Sequence, residues 1–129
     1  MKHTLMLLGF SVLFAGLSQA QNSPANSPKM LRHVVIFKFK ESATAADIAK
    51  VENGFRELPS KIKEVKGFEW GKNNSPENLA QGFTHCFLVS FSSENDRAVY
   101  LPHPAHKAFV AMLEPFVEKA FVFDYWADK

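Results

Sequence analysis

The sequence predicts an α+β sandwich of the ferredoxin type, a single antiparallel sheet with two helices laid on one face. Three observations predict it. Residues 30–40 and 83–91 alternate apolar side chains with a period of two. The stretch after Thr44 spaces its apolar residues by threes and fours. A second helical stretch, broken by Pro102 and Pro104, separates the third strand from the last, so the order reads βαββαβ.

Each element has a local reason. From Met30 to Lys40, Leu31, His33, Val35, Phe37 and Phe39 share one strand face, while Val34 and Ile36 make the centre of the other face apolar too. Thr44-Ala-Ala-Asp47 opens a helix as a capping box with an acid at its third position. Ile48, Val51, Phe55 and Leu58 form its apolar stripe, and Pro59 is expected to end or kink it, with Ile62 and Val65 continuing the stripe in a short second piece. Lys66-Gly67 gives a turn, Phe68 to Lys72 a short strand, and the polar run 73–82 an exposed loop. Phe83 to Phe91 is the clearest strand, with Phe83, His85, Phe87, Val89 and Phe91 on one face and Thr84, Cys86, Leu88 and Ser90 on the other. Ser93 is placed to cap a helix entered through Glu94, Asn95 and Asp96. A further helix starts at Pro104, since proline suits a first helical turn, and Pro115 limits it. Lys119 to Trp126 is the last strand.

A strand apolar on both faces must be covered on both. Two helices cover one side of this sheet. The other side carries apolar residues from at least two strands, which predicts a homodimer with the sheets face to face.

The two ends of the chain set its context. Lys2 begins a short basic start, residues 5–17 are apolar, and Ser18-Gln19-Ala20 gives the small-x-small pattern that signal peptidase reads. Residues 1–20 are therefore expected to be a signal peptide, residues 21–29 a disordered leader, and residues 30–129 the folded domain, exported to the periplasm or outside the cell, with no membrane contact after cleavage. Of the 15 basic and 13 acidic residues only Lys2 lies in the first twenty, so the exported chain carries a net charge of +1. Without a basic stripe, nucleic acid is not an expected partner. Cys86 is the only cysteine, so the fold must rest on packing; its apolar flanks predict a buried, inert thiol.

The chemistry concentrates in Tyr100-Leu101-Pro102-His103-Pro104-Ala105-His106. A helix starting at Pro104 puts His106 in its first turn, where the partial positive charge disfavours imidazolium. His106 also aligns with Phe109, Val110 and Leu113, and desolvation acts in the same direction. A neutral imidazole in an apolar pocket is a usable general base. A core histidine satisfied by one backbone hydrogen bond fits the same spacing. Tyr100 is either a phenol that donates to a carbonyl oxygen or enolate, or a core aromatic. His103 precedes a proline and is expected to cap the helix or line a pocket. His33 and His85 sit on strands in phase with aromatic residues, and both rings can face the helices. Asp124, in phase with Val122 and Trp126, needs a partner, for which a histidine is the natural choice. Pro104 breaks the helical spacing of His103 and His106, and no metal motif, phosphate loop or serine elbow is present, so neither a metal nor a cofactor is expected.

These residues carry a family resemblance. From Met30 to Trp126 the chain is similar to the stress-responsive α/β-barrel (Dabb) domain family, through Leu31-Arg-His-Val-Val-Ile-Phe-Lys-Phe-Lys40, Trp70-Gly71-Lys72, Gly82-Phe-Thr-His85, Tyr100-Leu-Pro-His-Pro-Ala-His106 and Phe123-Asp-Tyr125. The resemblance implies a dimeric α+β barrel with a cavity between helices and sheet in each subunit. Some plant members are polyketide cyclases that close a poly-β-ketone by aldol condensation without a cofactor. Their catalytic tyrosine and histidine match Tyr100 and His106, and their other site positions match His33, His85 and Asp124. The export signal sets this chain apart from those cytosolic cyclases. The leading expectation is an exported, stress-related dimer that binds a small, partly apolar ligand in a Tyr/His-lined pocket. The alternatives are a cofactor-free lyase or cyclase with His106 as general base and Tyr100 as enolate stabiliser, and a structural stress protein without a ligand.

Overall fold

The computed structural model describes residues 28–128, so the expected signal peptide, most of the expected leader and Lys129 lie outside the described residues. Four strands and three helices follow in order: β1 (Leu31–Phe39), α1 (Ala45–Lys61), β2 (Gly67–Lys72), β3 (His85–Phe91), α2 (Glu94–Tyr100), α3 (Pro104–Leu113) and β4 (Val117–Trp126). The sheet runs β2-β3-β1-β4 and every neighbouring pair is antiparallel. This is the expected ferredoxin-like α+β arrangement.

The period-two pattern of β1 decides which side becomes core. Leu31, His33, Val35 and Phe37 are buried, and the residues between them are only partly so. From β3, Phe87, Val89 and Phe91 join them, and α1 adds Val51, Phe55 and Leu58. Phe55 stacks on Phe87 with centroids 4.4 Å apart and planes 15° apart. Burying a side chain of this size contributes about 1.5–3 kcal/mol. Gly54 lets α3 approach α1: a Cβ there would stand 3.1 Å from Phe109 Cδ2, a tighter contact than most packed carbons take up.

The capping box forms as expected. The Asp47 amide donates to Thr44 Oγ1 (3.1 Å), and the Thr44 amide donates to Asp47 Oδ2 (2.9 Å). These bonds hold the Asp47 carboxyl below its ordinary range. Pro59 does not end α1, which runs two residues further to Lys61. Proline deletes only its own bond to the preceding turn, while the Ile62 amide still reaches the Leu58 carbonyl (2.9 Å). Leu58 and Ile62 are both buried, so packing holds this last turn together. No second helical piece follows; Val65 lies in the turn that leads to β2.

On the other side of the sheet, Phe121, Phe123 and Tyr125 of β4 are exposed, beside Val34 and Ile36 of β1. Cys86 is on this open side and is exposed, not buried, because Cys86 and Leu88 alternate away from the helices. Partial burial, then the Glu69 carboxylate, raise its thiol above the ordinary value, which keeps it protonated.

Candidate functional site

The fold gathers one cluster from four elements: His33 on β1, Asp124 on β4, Arg97 and Tyr100 on α2, and His106 on α3. Strand register does the first part. His33 and Asp124 are directly paired across the β1–β4 ladder, and His33 Nδ1 donates to Asp124 Oδ1 at 2.7 Å. Asp124 Oδ2 accepts from Arg97 Nη1 at 2.8 Å. Both carboxylate oxygens are engaged, and the acid between apolar residues has the histidine partner that its surroundings require.

The proline-punctuated turn does the second part. The His103 amide donates to the Tyr100 carbonyl (3.1 Å), which folds the chain back at the end of α2. His103 then caps α3: its Nδ1 accepts from the Ala105 amide (3.1 Å), and Pro104 occupies the first helical turn. The His106 ring returns over the turn, and its Nδ1 donates to the Leu101 carbonyl (2.9 Å). A carbonyl only accepts, so the proton of neutral His106 is on Nδ1 and its lone pair on Nε2. The Tyr100 and His106 rings meet with centroids 4.5 Å apart.

Tyr100 is wholly buried against Phe91, His33 and His106. Among the described residues, its hydroxyl has no hydrogen-bond partner. Burial pushes the phenol far above its ordinary value, so it is a donor and not a base. His106 is half-buried, and its pKa is lowered, first by desolvation; the Leu101 carbonyl opposes this, and the like charges of His33 and His103 add to it.

His85 is elsewhere. It lies at the far end of β3 from Phe91, opposite Phe37 and Lys72. Its Nε2 donates to Glu52 Oε1 (2.8 Å), and its Nδ1 accepts from Thr84 Oγ1 (2.8 Å). Its ring lies parallel to Trp70, with centroids 6.0 Å apart, and edge-on to Phe39. Burial raises the Glu52 carboxyl, but the His85 hydrogen bond and the Lys72 charge outweigh it and hold the group below its ordinary range. A cavity of about 560 Å³ opens beside this second cluster, walled by Ile36, Leu79, Phe83 and Phe121. Of the expected site residues, only His85 lines it.

Two polar residues belong to these clusters without having been singled out in the sequence. Arg97 lies one turn before Tyr100, and Glu52 falls in the α1 stripe between Ile48 and Phe55. A charged residue in phase with an apolar stripe was the available signal. Among the described residues, no group of three His, Cys, Asp or Glu side chains converges for a metal ion.

The fold and this cluster define a class, the ferredoxin-like α+β-barrel proteins. The model of the Stress responsive A/B Barrel Domain (Dabb) family matches residues 31–127, and the chain belongs to that family. It is 37% identical over 95 residues to the stress-response A/B barrel domain-containing protein HS1 of Arabidopsis thaliana, a match that covers 74% of this chain and 87% of that one. It is 33% identical over 95 residues to olivetolic acid cyclase of Cannabis sativa, covering 74% and 94%. The hydroxynitrile lyase of Passiflora edulis superposes with a TM-score of 0.74 at 27% identity, covering 79% and 96%. A Bacteroides fragilis protein described as dimeric with a ferredoxin-like fold superposes with a TM-score of 0.62 at 27% identity, covering 76% and 96%. Proteins similar to this chain thus include one named a cyclase and one named a lyase.

Proposed function

We propose that this chain is an exported, stress-related homodimer that binds a small, partly apolar carbonyl compound between Tyr100 and His106. The observation that carries this reading is the buried Tyr100 hydroxyl, which has no hydrogen-bond partner among the described residues. Leaving such a donor unpaired costs roughly 1–3 kcal/mol. A ligand carbonyl oxygen would accept from it and remove that cost. The neighbouring Nε2 lone pair of His106 suits an acidic C–H or O–H of the same ligand. Phe91, packed on the Tyr100 ring, supplies apolar surroundings.

The same geometry favours a second reading, a cofactor-free lyase or cyclase. The lowered His106 pKa keeps the imidazole neutral at pH 7, ready to take an α-proton at Nε2. The Tyr100 phenol would then donate to the enolate oxygen. The names of two relatives, a cyclase and a lyase, support this reading.

The dimer has its own support. Phe121, Phe123 and Tyr125 form an exposed apolar band on the open side of the sheet, and a structural relative is described as dimeric. Export rests on the apolar run and small-x-small pattern of residues 1–20, and fractionation of the native cell tests it: a retained, uncleaved cytoplasmic chain removes it.

Titration calorimetry with 2,4-pentanedione and 2,4-nonanedione tests the site. The expected result is tighter binding of the longer chain, weakened by Tyr100→Phe and by His106→Ala. Unchanged affinity in both variants sinks the site. Turnover of the same compounds, followed by mass spectrometry, separates the two readings: equal rates for wild type and His106→Ala remove the enzyme.

A further inference from the structure

Among the described residues, the short helix that carries Tyr100 is tied to the sheet at one charged point. α2 has seven residues, fewer than its own hydrogen bonds can hold in place. Its first turn is fixed by the Ser93 cap, whose Oγ accepts from the Asp96 amide (3.1 Å). Tyr100 is at its other end. One turn before Tyr100, Arg97 reaches across to Asp124 on β4, the edge strand, and Asp124 in turn holds His33. His33 meets the Tyr100 ring at 69° with centroids 6.0 Å apart. The chain of contacts therefore closes on itself: Arg97, Asp124, His33, Tyr100, and back to Arg97 along the helix.

We propose that Arg97 is a positioning residue for the Tyr100–His106 pair, acting through Asp124 and His33. This rests on the reading of that pair as a ligand site. Arg97 occupies the carboxylate oxygen that His33 leaves open, so the Asp124 carboxylate cannot turn away from the His33 ring. The ring keeps its proton on Nδ1 and one fixed orientation against Tyr100. The side chains are 27% (Arg97), 22% (Asp124) and 6% (His33) exposed, so water competes weakly for the buried end of this relay. A lysine would supply the charge without the planar fork, and a glutamine neither charge nor reach.

Long-range proton–nitrogen NMR of the histidine rings tests this on the full folded domain, beside calorimetry with 2,4-nonanedione. Wild type is expected to show His33 as a single Nδ1–H tautomer. Arg97→Gln is expected to mix the His33 tautomers and to weaken the probe about tenfold, the factor of one lost charge-assisted hydrogen bond. Arg97→Lys is expected to restore the tautomer and only part of the affinity. A merely structural ion pair would lower the melting midpoint and leave both readouts at wild-type values, which overturns the proposal. Should Arg97→Gln fail to fold, Arg97→Lys decides: affinity equal to wild type overturns the proposal. If wild type does not bind the probe, the ligand reading falls, and the His33 tautomer in the variants still decides the role of Arg97.

Discussion

Two residues carry the functional argument, and each makes a claim that can be measured. Tyr100 buries a hydroxyl that no described group satisfies. Tyr100→Phe is therefore expected to leave the fold intact and to raise its stability by roughly 1 kcal/mol, while ligand affinity falls. Denaturant unfolding checks the first part, and a loss of stability would show that the hydroxyl has a partner after all. His106 is held below its ordinary pKa by desolvation, so the folded chain resists protonation that the unfolded chain accepts. Stability from this source is full above about pH 6.5 and is lost as pH falls below it. The melting midpoint should drop from pH 7 to pH 5.5, and His106→Gln should flatten that drop; parallel curves for both proteins would refute it. Glu52 and Asp47, whose carboxyls are held low, act in a separate window, losing their contribution only as pH falls below their ordinary values of 4.5 and 3.8. In the sequence, Pro104 makes His106 a base candidate, while the position of Tyr100 fits both a core aromatic and a donor. It is buried like the first and unpartnered like the second. Sequence spacing could not decide this, because only packing determines what stands beside a hydroxyl.

At the scale of elements, the local rules held where local bonds decide. The capping box, the Ser93 cap and the Pro104 helix start are each set by a few adjacent residues. Thr44→Ala removes the side-chain acceptor for the Asp47 amide and is expected to cost about 1 kcal/mol, a fall of about 4–8 °C in melting midpoint for a domain of this size. Thermal unfolding by circular dichroism checks it; a change under 1 °C would mean that packing alone holds the first turn. Pro59 does not end its helix. Its missing bond was legible in the sequence. The buried pair Leu58 and Ile62, which carries the helix past it, is a tertiary fact.

At the scale of the whole molecule, the open side of the sheet is the main unmet demand for burial. Phe121, Phe123 and Tyr125 are 52%, 56% and 42% exposed, and a contiguous apolar patch of this kind points to a partner surface. Phe123 stands opposite Val34 at the centre of this face. Phe123→Glu is expected to halve the mass seen by light scattering while the far-ultraviolet spectrum is kept. A dimer that survives this change is not built on this face. Cys86 shares the face, and its exposure in one chain is what a face-to-face pair would cover.

The sequence by itself determined the element order, the two strand faces, the caps and the apolar stripes. All of these follow from periodicity and from bonds between near neighbours. Which polar groups meet was decided by the tertiary structure. The register of β4 on β1 sets Asp124 against His33, and the packing of a seven-residue helix brings Arg97 to the same carboxylate. His33 and His85 looked equivalent in the sequence, each on a strand among aromatic residues. The fold sends one to Tyr100 and the other to Glu52, because position along a strand becomes position across the molecule only when the sheet is assembled.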